Sequence, residues 1–248
     1  MIDYDSIPAV RRSELWELRK SPMHYLYAVT HERPETPALT FGSAAHKYIL
    51  EPDTFHNEYI VAPPIDRRTK TGKEAWAKLR ESGKTVISEA DMSVIEDMCE
   101  SLMKNETAAK LIASGQHEVP IEWMDADTGE RCKIRPDVLG DEYIVDYKTT
   151  ASCEGNAFEF SCRKYGYKLQ AGMYTEGVFC TTLNRLKFAF VAQEKEPPYA
   201  TRVYFCDDGF VDEGIQMFHG LIELYHDCVI RHSWPGYEDK EMIGDERD

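Results

Sequence analysis

Short strand-like runs in the middle of the chain, set between longer helical patterns on either side, predict a mixed α/β fold with a central β-sheet flanked by α-helices. Around residues 131–148 and 186–206 the sequence alternates apolar and polar side chains, or runs through Ile, Val, Phe and Tyr, between turn signals. From residue 13 to 113 and again from 157 to 231, apolar positions recur at helical spacing behind capping residues. With 248 residues, 42% of them hydrophobic, the chain suffices for one large domain with a substantial core.

The first helix is expected from Ser13, as N-cap, to Tyr27, interrupted at Ser21-Pro22. A Pro-rich loop, His31–Pro37, leads into a helix over Ala38–Leu50, where Gly42 and Ala45 allow close backbone approach. His46 follows Gly42 by one helical turn. Arg67–Lys73 reads as a basic loop and Glu74–Glu81 as a helix anchored by Trp76. Ser88 caps a helix from Glu89 to about Lys104, and Glu106–Ala113 forms another.

Gln116–Trp123 is expected as one strand, with Val119, Ile121 and Trp123 on one face and Glu118 on the other. Asp125–Gly129 is a turn, after which Arg131–Arg135 returns antiparallel and leads into Asp137. A Gly-Asp turn within Val138–Tyr143 then joins this arm to a second short strand, Ile144–Lys148. A loop, Thr149–Gly155, precedes a helix starting near Ala157, and Tyr167–Tyr174 is helical. Leu186–Ala192 and Thr201–Cys206 are strands that extend the sheet beyond the hairpin. Phe210–Arg231 is a long amphipathic helix, and Trp234–Tyr237 starts the tail. The expected organisation is a single domain over 1–248. It divides into a mainly helical part (1–115, with a basic loop at 66–84), a sheet-bearing part (116–206) and a C-terminal helix and tail (207–248).

Composition narrows the function classes. No apolar run approaches the ~18 residues of a membrane span, and the start, Met1-Ile-Asp-Tyr-Asp5, lacks the pattern of a signal peptide, so a cytoplasmic protein is expected. The seven cysteines, at 99, 132, 153, 162, 180, 206 and 228, form no C-x-x-C pair, which argues against a zinc ribbon or disulfide framework. A net charge of −15 argues against nonspecific coating of nucleic acid. The charge is uneven, however: acids gather in the C-terminal tail, while Arg67, Arg68, Lys70 and Lys73 belong to a basic stretch.

The chemistry concentrates in R-P-D-V-L-G-D-E-Y-I-V-D-Y-K, residues 135–148. Asp137 and Asp146 are brought together by the turn, and Asp146 and Lys148 share a strand face while Tyr147 points away. Two carboxylates beside an amine suit a hard cation, Mg²⁺ with Mn²⁺ as an alternative, held against a phosphate. The lysine would orient the attacking water or offset charge on the phosphate. A lone D-x-K is common, and a solvated surface hairpin is the competing reading.

The order P-D, turn, apolar pair, D-x-K resembles the PD-(D/E)XK nuclease superfamily, and the neighbouring residues resemble its exonuclease VIII (RecE) branch. The resemblance implies a restriction-endonuclease-like core. It implies that His46 and the Tyr147 carbonyl join Asp137 and Asp146 as metal ligands, that Lys148 is catalytic, and that Glu118 lies near the metal. Gln170 and Tyr174, one helical turn apart, match the superfamily's Q-x-x-x-Y element beside the active site. Candidate DNA contacts are Arg11, Arg12, Arg67, Arg68, Lys70, Lys73, Arg163, Lys164 and Lys168, with solvated surface charge as the competing reading. The same resemblance implies a bacterial or phage-encoded 5′→3′ exonuclease acting on double-stranded DNA ends and leaving 3′ overhangs for recombination. It further implies a homo-oligomeric ring and a single-strand annealing protein (RecT-like or beta-like) as partner. A structure-specific or single-strand nuclease on the same core, or a DNA-binding protein without turnover, are the alternatives.

Overall fold

In the computed structural model, which describes residues 4–31, 34–66 and 68–237, capping side chains set most helix starts. After a 3₁₀ turn at Tyr4–Ser6 come β1 (Val10–Arg11), α1 (Arg12–Leu18) and α2 (Pro22–Thr30). Ser21 caps α2 by accepting from the His24 N–H, with Pro22 in the first turn, so the expected break falls where the sequence puts it. Ser13 is not an N-cap: Arg11 holds that place, and Glu14 accepts from its backbone N–H. Thr36 caps α3 (Pro37–Leu50). Gly42 is not sterically required there, because a Cβ at that position meets its nearest neighbour, Thr149 Oγ1, at an ordinary 3.8 Å.

Past a 3₁₀ turn (Pro52–Thr54) lie α4 (Phe55–Glu58), β2 (Tyr59–Ala62) and α5 (Lys70–Arg80). Thr69 caps α5 by accepting from Gly72, so the helix claims Lys70–Lys73, which the sequence pattern alone leaves in a loop. Then follow β3 (Thr85–Ser88), α6 (Glu89–Lys104), α7 (Glu106–Ile112), β4 (Gly115–His117), β5 (Ile121–Met124) and β6 (Arg131–Ile134). The chain continues through β7 (Val138–Gly140), β8 (Tyr143–Thr150), α8 (Gly155–Tyr165), α9 (Tyr167–Thr182), β9 (Lys187–Glu194), β10 (Thr201–Phe205) and α10 (Asp208–Arg231).

The strands form a mixed five-stranded sheet of order β10-β9-β8-β7-β4, a three-stranded sheet β1-β6-β5 and a parallel pair β2-β3. In the large sheet β8 and β9 are parallel, and α8 and α9 supply the crossover that parallel strands need. One core contains Leu169 and Met173 of α9, Phe218 and Ile222 of α10, and Ile144 and Phe190 of the sheet. A second contains Ile49, Leu102 and Leu111 of α3, α6 and α7 with Val145, Tyr147 and Val191. The alternation along β8 therefore sends Val145 and Tyr147 to one side and Ile144 to the other.

Two strand expectations are corrected. Arg131–Arg135 is not the first arm of the hairpin; β6 pairs with β5 and β1, and the arm opposite β8 is β7. Pro136 has no N–H to give a ladder, and the chain changes sheets there. Nor is Gln116–Trp123 one strand. Glu118 adopts a left-handed φ of 53° and Pro120 follows, which divides β4 in the large sheet from β5 in the small one. Among the described residues, no helix is long and apolar enough to cross a membrane.

Candidate active site

Register explains how the acids meet. β4 pairs with β7 as His117↔Val138, and β7 pairs with β8 as Val138↔Val145. Continuing each ladder by one residue sets Glu118 opposite Asp137 and Asp137 opposite Asp146. Three carboxylates thus lie in one row across three strands. Directly opposed like charges destabilise a sheet, so the row calls for cations.

The protein supplies some of them. Lys148, two positions along β8 on the same face, places Nζ 2.6 Å from Asp146 Oδ2. The ammonium also lies 5.1 Å from the Tyr167 ring centroid, a cation–π platform. Gln170 of α9 donates its Nε2 to Asp146 Oδ1. Arg12 in turn donates from Nη2 to Gln170 Oε1 at 3.3 Å and from Nη1 to the Tyr165 carbonyl at 3.0 Å. A guanidinium only donates, so it turns the Gln170 oxygen toward itself and the amide hydrogens toward Asp146.

His46, reaching in from α3, places Nε2 2.9 Å from Asp137 Oδ2 and Nδ1 3.5 Å from Glu118 Oε1. The Tyr147 N–H donates to Asp137 Oδ2 at 2.7 Å, and Arg135 Nε lies 2.8 Å from Glu118 Oε2. The structure thus joins Tyr147 to the site through its backbone N–H, while its hydroxyl points away and donates to Gln193. One ligand atom from each of His46, Glu118 and Asp137 lies within 4.8 Å of the others.

The electrostatics follow from this crowding. Burial, reinforced by the Asp137 carboxylate, pushes Glu118 up to about 7 against His46 and Arg135. Burial and Asp137 likewise push Asp146 up, with Lys148 opposing. For Asp137 burial is outweighed by His46, Lys148 and the Tyr147 N–H, which together hold it below the ordinary carboxylate range. Burial disfavours a charged His46, yet Asp137 and Glu118 prevail and hold its pKa at about 9. One imidazole nitrogen and carboxylate oxygens from two strands, once His46 gives up its proton, form a donor set that fits a divalent cation, Mn²⁺ or Mg²⁺.

A cleft of about 930 Å³ opens over the Glu118–Asp137 end of this row, lined by His46, Glu118, Asp137 and Tyr174, with Arg11, Arg12 and Arg135 among its walls; Asp146 and Lys148 lie outside its lining. Tyr174 packs against Phe188, one turn beyond Gln170 on α9. Of the two N-terminal arginines expected to meet DNA, Arg11 is neutralised by Asp5 and Glu14 at 2.8 and 2.9 Å, whereas Arg12 meets only neutral acceptors among the described residues. Lys70 and Lys73 are exposed on α5, outside the cleft lining. Arg68 pairs with Asp66, Arg163 with Glu159 and Lys168 with Glu213, and Lys164 lies over Tyr165. Arg67 lies outside the described residues. Sequence reasoning missed Arg135 and Tyr167. Their positions, two before Asp137 and three before Gln170, were the available signal.

Comparison with known proteins adds three findings. The family model described as a PDDEXK-like domain of unknown function matches residues 12–244. No curated protein gives a significant match. Among solved structures, the crystal structure of a putative exonuclease from Eubacterium rectale is similar at 18% identity and a TM-score of 0.66, over 90% of this chain and 82% of that one. An alkaline exonuclease from Laribacter hongkongensis matches at 16% identity, with a TM-score of 0.30 over 66% of this chain and 86% of its own. The first of these likenesses shows the fold; the second is too distant to carry an argument.

Proposed function

The chain belongs to the PDDEXK-like domain family, with a restriction-endonuclease-like core, and from that premise we propose that it is a metal-dependent deoxyribonuclease acting on the ends of linear double-stranded DNA. The observation that carries this reading is the meeting of Glu118, Asp137 and Asp146, with His46, Glu118 and Asp137 lining an open cleft and Lys148 paired to Asp146 behind them. A sheet gains nothing structurally from three adjacent acids, and a surface that merely grips DNA does better without them.

His46, Glu118 and Asp137 would hold the ion, with Asp146 beside them. When bound, the cation supplies Lewis-acid stabilisation of the attacking and leaving oxygens. The remaining work falls to the chain. Lys148 orients a water for in-line attack and offsets the charge that builds on the phosphate. Hydrolysis forms a bond from the water oxygen to phosphorus, breaks the bond from phosphorus to the 3′ oxygen, and passes the water's proton to that oxygen. Gln170 fixes the Asp146 carboxylate, and Arg12 fixes Gln170. Tyr174 borders the cleft where the strand would pass. The 5′→3′ direction, the 3′ overhang left for recombination, the ring and the annealing partner are extensions of this proposal that rest on the RecE-like sequence resemblance alone.

The test is digestion of linear and covalently closed circular duplex with Mg²⁺, each strand labelled in turn, for wild type, Asp146→Asn and Lys148→Ala. The expected result is loss of the 5′-labelled end from linear DNA, no attack on circles, and inactivity of both variants. Binding to linear duplex without any product would mark a non-catalytic DNA-binding protein. Cleavage of circles, or of single strands alone, would point to a different nuclease.

A further inference from the structure

Glu118 differs from the two aspartates in how it is held. It occupies a left-handed backbone conformation, φ 53°, in the break between β4 and β5. A non-glycine residue stays there only when its surroundings over-determine it. Two contacts do so. Its N–H donates to the Asp137 carbonyl at 3.2 Å, extending the β4–β7 ladder by one bond, and its Oε2 lies 2.8 Å from Arg135 Nε. The other oxygen, Oε1, is buried, accepts no hydrogen bond among the described residues, and faces His46 Nδ1 at 3.5 Å. One oxygen is therefore anchored and the other aimed at the donor set.

Arg135 is itself prepared for this. Its guanidinium lies 4.8 Å from the Tyr4 ring centroid. Tyr4 is held in turn by the buried Lys133, whose Nζ donates to the Tyr4 and Ile7 carbonyls at 2.9 and 2.8 Å and lies 4.6 Å from the same ring centroid. A planar guanidinium stacked on a held ring keeps its donors in a defined plane, which a lysine ammonium does not.

We infer that Arg135 is a positioning residue of the cation site: it clamps Oε2 of Glu118 so that Oε1 is presented, preformed, to the ion shared with His46 and Asp137. This deepens the proposed function and rests on its cation site. It is separable from a DNA-binding role by the sign of one effect. Arg135 is a positive charge beside a site for a positive ion. If charge were all that it contributed, removing it would strengthen cation binding. If it orients a ligand, removing it weakens binding despite the relief of repulsion, and outer carboxylate partners of this kind carry about 10–100-fold in affinity.

The experiment is titration calorimetry with Mn²⁺ on wild type, Arg135→Met, Arg135→Lys, Glu118→Gln and the Glu118→Gln/Arg135→Met double variant, with circular dichroism to verify folding. The inference expects Arg135→Met to bind Mn²⁺ about 10-fold or more weakly, Arg135→Lys to fall between it and wild type, and Arg135→Met to cost nothing further once Glu118 is Gln. Equal or tighter binding by Arg135→Met, or the same loss in both backgrounds, would overturn it. Should Arg135→Met not fold, Arg135→Lys decides alone, since at unchanged charge its affinity must still fall. A wild type that binds no Mn²⁺ would remove the cation site itself, a failure distinct from one confined to Arg135.

Discussion

Asp146 accepts from Gln170 on Oδ1, forms an ion pair with Lys148 through Oδ2, and still faces Asp137 across the ladder. Its raised pKa means that the ionised form is disfavoured in the folded protein relative to the unfolded chain. Asp146→Asn is therefore expected to abolish hydrolysis while leaving the cation-free protein as stable as wild type or more so near pH 8, read by denaturant unfolding. His46 makes a second prediction. Its folded pKa of about 9 exceeds the free value of 6.5. The stability it contributes is thus fully present below pH ~6.5 and lost as pH rises toward 9. Cation-free protein should lose on the order of 1–3 kcal/mol across that window, and His46→Gln should flatten this limb of the stability profile. Because the cation and the proton compete for the imidazole, Mn²⁺ affinity should rise with pH over the same range. Asp137, Asp146 and Lys148 could be grouped in the sequence by their short spacing, whereas His46, distant from them in the chain, was suggested only by the family resemblance. Arg135 and Tyr167 stand close to motif residues, but their contacts with Glu118 and Lys148 depend on tertiary packing.

At the level of elements, the site depends on α9 being fixed, since Gln170 sits on it. α9 crosses α10 with backbone against backbone: a Cβ on Gly172 would run into Gly214 and Ile215, and one on Gly214 into the Lys168 carbonyl. Gly172→Ala should destabilise by about 2 kcal/mol despite the better helix propensity of alanine, lowering Tm by roughly 4–8 °C. Gly220→Ala, on α10 where a Cβ meets nothing within 4 Å, should be neutral or stabilising by up to about 1 kcal/mol. The break at Ser21-Pro22, the cap at Ser88 and the long α10 were legible because breaking residues, capping and helical periodicity are local. The antiparallel return of β6 onto β5 was legible as well, from the turn at Asp125–Gly129, whereas the parallel pairing of β6 with β1 and the break at Glu118 were not. They turn on which distant strand a short segment joins, and only Pro136 and Pro120 hinted at the interruptions.

Across the whole molecule, a net charge of −15 must coexist with a polyanionic substrate. Four of the candidate DNA-contacting cations, Arg11, Arg68, Arg163 and Lys168, are spent on neighbouring acids. Arg12 in the cleft and the exposed Lys70, Lys73, Lys78 and Arg80 on α5 are, among the described residues, the better candidates for phosphate contacts. Lys70→Glu/Lys73→Glu should raise KM for duplex with little change in kcat, and reduce the slope of log K against log salt by about 0.9 for each phosphate no longer neutralised. The mixed sheet and its flanking helices were predictable from periodicity and caps. The joining of three acids into one row was not, since it depends on two strand registers at once.

A single measurement bears on the central claim most directly: anomalous diffraction from a crystal soaked in Mn²⁺. The account predicts a peak within bonding distance of His46 and the Glu118 and Asp137 carboxylates, with the His46–Asp137 ion pair replaced by ligation. A fully soaked crystal with no peak there, and with His46 still paired to Asp137, would contradict it.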